Sequence, residues 1–407
     1  MFALCGGPDG AGSVKGRRVV ITGVGVVSSC GIGADNFWQG LLADAPLGRE
    51  RPVKDLDVSE LFGPKEIRRT DRFVQLAAGA ADEAVRDAGG VEAFRGDPDR
   101  AGSYIGTGVG GLDTIIEQDR VLIDKGPGRV SPFLVPMIMC NRAAADVSMR
   151  YGLRGPCETT VTACAAGSQS IANAARLIAT GRCDVMLAGS SEAPLSELGI
   201  SGFSNMTALT KSGVSMPFDT KRDGFVIGEG AAVVVLEERE RAIGRGARIY
   251  AEIAGAASTA DAHHITAPEP AGAGAARCME LAIADAGISP SEIAHVNAHG
   301  TSTPPGDAAE AEAVAKVFGQ GGPPVTSIKG VLGHTLAAAG AIEAVAVVLS
   351  MAHRLIPPTT GTTEVDPAFQ IDLVTGSPRP WEPGPVVSNS FGFGGHNGCL
   401  VITPHAA

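Results

Sequence analysis

One cysteine in the sequence stands where a reactive thiol is expected. Cys164 ends the β-branched run 159–164 and comes directly before a helix pattern of small residues. At such a place the free N–H groups of the helix start surround the sulfur, and the helix dipole favours a negative charge. Both effects favour the thiolate, so we expect a lowered pKa for the Cys164 thiol. The sequence therefore predicts that Cys164 is a nucleophile.

Two histidines occupy similar glycine-framed junctions. His299 ends a short apolar strand pattern and enters a turn rich in Gly, Thr and Pro. His334 follows Gly333 and precedes another small-residue helix, with Lys329 and Glu343 as possible charge partners on either side. Because α/β proteins place their sites in loops after strand ends, we expect both imidazoles to act together with the cysteine.

A third junction, the segment 388–398, is too rich in glycine to form a core element. Such a loop suits the donation of backbone N–H groups, or movement. A cysteine with one histidine would fit a thiol protease or a transamidase. A second histidine points to a different task, in which two donors share one developing oxyanion.

Strand and helix patterns alternate along the chain, which is typical of an α/β protein. The strand patterns cover residues 19–27, 101–106, 184–188, 231–236, 249–253, 295–298, 386–389 and 399–403. The helix patterns cover residues 73–88, 165–180, 272–286 and 340–352. Since a second strand–helix series starts near residue 250, we expect a loose tail over residues 1–16 and two α/β halves, 17–250 and 251–407.

Composition and charge exclude several classes of protein. The chain of 407 residues is 44% hydrophobic and 19% charged, which excludes disorder as its main state. Its net charge of −11 argues against nucleic acid as the main partner, because no domain-wide positive field exists. The most apolar stretch, 336–351, contains Glu343 and is shorter than the ~20 residues of a membrane span. None of the eight cysteines forms a C-x-x-C or a Cys/His cluster with zinc spacing, so no metal site is expected.

The motifs that carry these residues closely resemble those of the β-ketoacyl-[acyl carrier protein] synthases. The resemblance runs from about Arg18 to about Thr403 and is nearest to the elongating bacterial form, KAS II, of the thiolase superfamily. It rests on Thr162-Ala-Cys164, Asn297-Ala-His299-Gly-Thr-Ser-Thr303, Lys329 to His334, Asn389-Ser-Phe-Gly-Phe-Gly-Gly395, Pro217-Phe-Asp219 and Gly228-Glu-Gly230. It implies the thiolase fold, a five-layered αβαβα arrangement of two duplicated α/β halves.

The resemblance implies a decarboxylative Claisen condensation in fatty acid or polyketide chain elongation. The acyl group would be received as a thioester on Cys164, and malonyl-[acyl carrier protein] would then lose CO2. His299 and His334 would hydrogen-bond the enolate, whose carbanion attacks the acyl carbonyl and gives 3-oxoacyl-[acyl carrier protein]. The backbone N–H groups of Cys164 and Phe393 would hold the tetrahedral oxyanion. The enzyme would thus be an acyltransferase.

The resemblance also implies a set of accessory residues. Lys329 would hold the His334 region, with Asp307 and Glu343 near it. The substrate-binding residues would be Phe391, Thr301, Thr303, Phe225, Val109, Glu343 and Asp307. The two threonines would contact the phosphopantetheine arm, Phe225 and Phe393 would gate the malonyl and acyl pockets, and Val109 would lie along the acyl chain. No cofactor is implied beyond the 4′-phosphopantetheine that carries the substrates.

The implied partner is an acyl carrier protein, and such carriers are acidic. Because this chain is acidic too, its docking patch must be local. Lys65, Arg68 and Arg69 fall where the family's basic docking residues lie, and Arg129 matches another. A homodimer is also implied. The β-branched run 19–27 predicts a strand rather than an export signal, so we expect a cytoplasmic enzyme.

Other condensing enzymes remain as alternatives. A KAS I-type enzyme or a specialised polyketide ketosynthase shares these motifs. A thiolase or a KAS III-like enzyme that works on coenzyme A usually pairs one histidine with a second cysteine or an asparagine. A non-catalytic subunit of the chain-length-factor kind lacks the nucleophile, so Cys164 argues against it.

Overall fold

The computed structural model of the chain describes residues 16–405, so the expected tail over residues 1–16 lies outside the described residues except for Gly16. The strands are β1 (Val19–Ser28), β2 (Gly31–Ile32), β3 (Glu50–Arg51), β4 (Ala101–Gly106), β5 (Cys157–Glu158), β6 (Val185–Glu192), β7 (Ile227–Gly228), β8 (Gly230–Glu238), β9 (Ala251–Ala260), β10 (His295–Asn297), β11 (Pro324–Thr326), β12 (Leu355–Ile356), β13 (Asp372–Leu373), β14 (Arg379–Pro380), β15 (Val386–Gly392) and β16 (His396–Pro404). The helices are α1 (Ala34–Leu41), α2 (Pro64–Ile67), α3 (Arg72–Asp87), α4 (Val91–Phe94), α5 (Leu112–Lys125), α6 (Leu134–Ile138), α7 (Arg142–Tyr151), α8 (Ala166–Ala179), α9 (Glu197–Asn205), α10 (Arg239–Gly244), α11 (Ala273–Asp285), α12 (Pro304–Phe318), α13 (Lys329–Leu332) and α14 (Ala339–His353).

One sheet topology occurs twice along the chain. The five main strands of the first half lie in the order β5-β4-β6-β8-β1, and those of the second half in the order β11-β10-β15-β16-β9. In each half the first three strands of that order are parallel to one another, and the last two pairings are antiparallel. The same strand order with the same directions is what two duplicated α/β halves would give.

Apolar side chains stack these sheets and helices in five layers. Helices α3 and α7 cover the outer face of the first sheet, and α11 and α12 cover the outer face of the second. Helices α8 and α14 lie between the two sheets. The expected αβαβα arrangement is therefore confirmed.

The central helix α14 explains the most apolar stretch of the sequence. The segment Leu336–His353 is long and apolar enough to span a membrane, but 89% of it is buried inside the fold. Its apolar residues pack against both sheets instead. The high hydropathy of this segment is therefore that of a core helix covered on all sides by protein.

Glycines allow the outer helix α3 to lie close against β1. A Cβ atom on Gly25 would lie 2.0 Å from the carbonyl oxygen of Ala80, and one on Gly23 would lie 2.5 Å from that of Ala84. No side chain fits at such separations, so a larger residue would force helix and strand apart. Close packing of this kind accounts for part of the high glycine content.

Candidate active site

Loops from both halves meet around one cavity of about 610 Å³. They follow the carboxyl ends of β4 and β6 in the first half and of β10 and β15 in the second. Its lining includes most of the residues expected at the site: Cys164, His299, His334, Val109, Phe225, Phe391, Phe393, Thr301 and Thr303. The fold thus brings together residues that are far apart in the sequence.

Cys164 lies in a tight turn just before α8. The β-branched run before it is irregular, since β5 ends at Glu158. Instead, Ala163 has a left-handed backbone with φ of 48°, and the N–H of Ala166 donates to its carbonyl at 3.1 Å. Ser302 and Leu336, close to the two histidines, also have positive φ. Such strained residues cluster at functional sites, and here each reactive segment contains one.

The sulfur and the two imidazoles converge on one point. The Nε2 atom of His334 lies 3.1 Å from the Sγ atom of Cys164. The rings of His299 and His334 stand nearly perpendicular, with centroids 5.2 Å apart. One polar atom from each of the three side chains lies within 4.8 Å of the other two. A single small group in the cavity can therefore contact all three.

The Cys164 thiol is neutral rather than ionised. Burial raises its pKa to about 11, and the opposing effects of the Lys329 charge and of backbone N–H groups are smaller. The predicted lowering of this pKa is therefore wrong, because the loss of solvation outweighs the stabilisation of the thiolate. A neutral thiol needs a proton acceptor when it attacks, and His334 Nε2 is placed to be that acceptor.

Burial, and after it the Lys329 charge, keeps both imidazoles neutral. Its Nζ atom forms a salt bridge with Glu343 and lies 3.5 Å from the Nδ1 atom of His299. Burial and the Lys329 charge lower the pKa of His299 well below its ordinary value, and the same causes act on His334. Both rings are therefore neutral. Since an ammonium group can only donate, His299 Nδ1 accepts and its Nε2 carries the proton.

Lys329 acts on the His334 ring through its charge, and its hydrogen-bonding contact is with the other histidine. The hydrogen-bonding neighbour of Lys329 among the histidines is His299, and the Nδ1 atom of His334 has no hydrogen-bond partner among the described residues. The His334 backbone N–H donates to the Val226 carbonyl at 2.7 Å, and the Phe225 ring packs edge-on at 5.2 Å. His334 is thus held by packing, and either nitrogen of its ring can carry the proton.

Two backbone N–H groups provide a further pair of donors. Those of Phe393 and Cys164 are close enough to the Cys164 sulfur to lower the pKa of its thiol. Gly392 allows this approach, because a Cβ atom there would lie only 3.0 Å from the Cys164 nitrogen. The chain then turns through Gly394 and Gly395, whose φ angles are 83° and 72°. Two N–H groups at one point form the geometry of an oxyanion hole.

Helix α12 carries two buried carboxylates back to the His299 loop. Pro304 and Pro305, which were predicted in a turn, are its first two residues. Glu310 accepts the backbone N–H groups of His299 at 2.8 Å and Gly300 at 2.7 Å. Asp307 accepts those of Ser302 at 3.1 Å and Phe218 at 2.7 Å. Asp307 therefore supports the turn that carries the two threonines, and among the described residues the salt-bridge partner of Lys329 is Glu343 instead. The sequence analysis missed Glu310. The Thr-Pro-Pro sequence is typical of a helix start, and a helix predicted from it would have included this residue.

Glu192, at the end of β6, is a second carboxylate that the sequence analysis missed. It lines the cavity and accepts the N–H groups of Gly108 at 2.7 Å and Val109 at 3.3 Å. It also accepts the Thr107 hydroxyl at 3.2 Å, and the N–H of Ala337, three residues after His334, is close enough to lower the pKa of Glu192. Glu192 therefore ties the wall formed by Val109 to the turn after His334. Its position at the end of a strand, level with the end of the parallel strand β4, could have indicated that Glu192 lies at the site.

The expected docking residues lie on an exposed face that we call the α2 patch. Lys65 lies in α2, Arg68 and Arg69 follow it, and Arg129 lies nearby in sequence to Phe133. The Arg69 guanidinium stacks over the Phe133 ring at 4.1 Å, which joins the two segments. None of the four cations has a salt-bridge partner within the part of the chain that the structure describes. The patch is thus free to meet an anionic surface.

Comparisons with known proteins find relatives that span nearly the whole chain. The β-ketoacyl synthase N-terminal domain matches residues 59–242, and the β-ketoacyl synthase C-terminal domain matches residues 250–363. The 3-oxoacyl-[acyl-carrier-protein] synthase 2 of Synechocystis sp. is 41% identical over 96% of this chain and 99% of its own length. A solved β-ketoacyl synthase from Burkholderia phymatum is 36% identical with a TM-score of 0.88, covering 96% of this chain and 100% of its own. A structure of a type II polyketide-synthase acyl-carrier protein in complex with its ketosynthase contains a chain that is 33% identical, with a TM-score of 0.87 and coverages of 96% and 100%.

The burial of Glu192 predicts a pH dependence of stability. Burial raises the pKa of Glu192 to about 7, so near neutrality the folded chain keeps a proton that the unfolded chain has lost. As the pH rises from about 4.5 to about 7, this group lowers the free energy of unfolding by on the order of 3 kcal/mol. Urea unfolding across that range should show the fall in wild type and a smaller one in Glu192→Gln. Parallel pH profiles for the two proteins would contradict the assignment.

Proposed function

The chain belongs to the β-ketoacyl synthase family, and we propose that its buried cysteine and two histidines carry out the reaction of the 3-oxoacyl-[acyl carrier protein] synthases. The protein is an acyltransferase that joins an acyl thioester to malonyl-[acyl carrier protein] with loss of CO2. The observation that carries the assignment of residues is the convergence of Cys164 Sγ and the two imidazoles within 4.8 Å.

In the first step Cys164 accepts the acyl group. Its sulfur attacks the thioester carbonyl, and the thiol proton passes to His334 Nε2, 3.1 Å away. The C–S bond to the phosphopantetheine breaks, and the departing sulfur takes up a proton. The negative oxygen of the tetrahedral intermediate lies at the N–H groups of Cys164 and Phe393. One preorganised donor of this kind is worth about 2.7–4 kcal/mol.

In the second step malonyl-[acyl carrier protein] loses CO2 between the two histidines. The thioester oxygen becomes an enolate oxygen and accepts hydrogen bonds from both rings. His299 is suited to this role because Lys329 fixes its proton on Nε2. His334 can donate from the same nitrogen that accepts in the first step, because its Nδ1 has no partner that fixes the tautomer.

In the third step the carbanion attacks the acyl-Cys164 carbonyl, the thioester bond to the cysteine breaks, and the departing cysteine sulfur takes up a proton to restore the thiol. Loss of CO2 has already produced the carbanion, so no strong general base is needed. This agrees with two neutral histidines, and we propose that no cofactor takes part beyond the 4′-phosphopantetheine on the substrates. Thr301 and Thr303, whose hydroxyls lie 2.9 Å apart on the cavity wall, would contact that arm.

The partner that we propose is an acyl carrier protein docked on the α2 patch. A ketosynthase relative is known in complex with such a carrier. An acidic carrier would meet four exposed cations there, although the chain as a whole has a net charge of −11. The stacked pair of Arg69 and Phe133 offers both charge and an apolar face.

We also propose that two copies of the chain form a homodimer in the cytoplasm. Support for association comes from exposed apolar residues on and beside α5 and α6: Ile115, Leu122, Ile123, Val135 and Met139. The short edge strand β5 lies at the same end of the first sheet and leaves backbone groups free to pair. Support for the location comes from the run 19–27, which forms the buried strand β1.

The division of roles predicts separate losses in separate variants. Cys164→Ala should abolish acyl-enzyme formation, which is measured as the mass added to the intact chain by an acyl carrier protein. His299→Ala should lower the rate of malonyl decarboxylation by roughly 100-fold or more, as expected for a lost oxyanion donor, while acylation of Cys164 survives. A Cys164→Ala chain that still becomes acylated, or decarboxylation unchanged by loss of either histidine, would contradict the mechanism.

The docking proposal predicts an effect on carrier-bound substrate only. Reversal of Lys65, Arg68 and Arg69 to Glu should raise the KM for malonyl-[acyl carrier protein] at least about tenfold, with steep dependence on salt. The same variant should use a malonyl-pantetheine mimic as wild type does, because that substrate has no carrier surface. An equal loss with the mimic would show that the reversal harms the active site instead.

A further inference from the structure

The reactive cluster has the ligand set of a transition-metal site. Cys164, His299 and His334 are all buried, and one polar atom of each lies within 4.8 Å of the others. In tetrahedral zinc sites the bonds are about 2.3 Å to sulfur and about 2.0–2.1 Å to nitrogen, so ligand atoms lie roughly 3.5 Å apart. The 3.1 Å between Cys164 Sγ and His334 Nε2 is close to that separation. One thiolate and two imidazoles facing a cavity also match the three protein ligands and open position of a catalytic zinc site.

One feature of the surroundings opposes a metal ion at this place. Histidine ligands normally donate their second ring N–H to a carboxylate or a carbonyl, which frees the other nitrogen for the metal. At His299 the arrangement is the reverse, because Lys329 Nζ lies 3.5 Å from Nδ1 and can only donate to it. The proton is thereby kept on Nε2, the nitrogen that faces the cluster. The positive charge of Lys329 also repels a cation.

We propose that Lys329, held in place by Glu343, excludes transition-metal ions from the Cys164–His299–His334 cluster. Binding of Zn²⁺ would release the thiol proton to solvent and form a zinc–sulfur bond. It would also require the His299 proton to move from Nε2 to Nδ1, where it would face the donors of Lys329. The ion would occupy the nucleophile and stop acyl transfer. Lys329 therefore protects a site whose catalytic residues are themselves good metal ligands.

The test replaces the buried pair without leaving a charge unpaired. The double variant Lys329→Met, Glu343→Gln removes the buried cation together with its partner charge. We titrate the full chain with Co²⁺, whose charge-transfer absorption reports a bond to a thiolate. We expect one Co²⁺ per chain in the variant, bound at least about 100-fold more tightly than by wild type. Zn²⁺ should displace it, and Mg²⁺, which prefers oxygen ligands, should not.

Two matched variants locate the metal and the cause. Adding Cys164→Ala to the double variant should abolish the absorption, whereas adding Cys157→Ser, at an exposed cysteine, should leave it. Lys329→Arg keeps a buried donor and a charge, and should bind Co²⁺ as weakly as wild type. A thiolate–cobalt signal of equal strength in wild type, or a well-folded double variant without one, would overturn the proposal. Acylation of wild-type Cys164 is measured separately, so the proposed reaction stands or falls independently.

Discussion

The buried ion pair of Lys329 and Glu343 is the interaction on which the rest of the site depends. The two side chains are 1% and 0% exposed, so each charge has lost contact with water and is stabilised by its partner instead. Burial raises the pKa of Glu343 to about 7 and the Lys329 charge opposes that rise. Burial and the Lys329 charge keep His299 neutral, and the Lys329 donor beside Nδ1 places the ring proton on Nε2. A donor for a developing oxyanion is therefore ready before any substrate binds.

The duplicated fold explains how these groups meet. The first half supplies the nucleophile in the turn before α8, and the second half supplies both histidines and the glycine loop after β15. Helices α8 and α14 pack between the two sheets, so the starts of both helices face the same cavity. Buried carboxylates hold the connecting loops by accepting backbone N–H groups, Glu192 in the first half and Glu310 in the second. Each half thus supplies both reactive groups and a buried carboxylate that holds their loops in place.

Much of this could be predicted from the sequence, and the misses have physical reasons. Helix α3 was predicted at 73–88 and occurs at Arg72–Asp87, because its buried face gives a strong apolar period. Helix α5 was missed, and only Thr114 among its residues is buried, so its apolar residues do not form part of the core. The reactive residues were found because glycines frame them locally.

Properties set by distant contacts could not be predicted in this way. The pKa of Cys164 depends on burial by segments far away in the sequence, and the local helix start gave the wrong direction. Glu192 and Glu310 act through backbone groups of other elements, so their own neighbours in sequence carry little signal. The link between Lys329 and His299, rather than His334, also appears only when the chain folds.

The central claim is that Lys329 holds His299 as a neutral ring with its proton on Nε2. Nitrogen NMR of the chain labelled at its histidine rings measures this directly, with His299→Gln used to assign the signals. The account predicts an unprotonated Nδ1 and a protonated Nε2 for His299 throughout the range from about pH 5.5 to about pH 8. A His299 ring that is protonated on both nitrogens near pH 6, or that carries its proton on Nδ1, would contradict it.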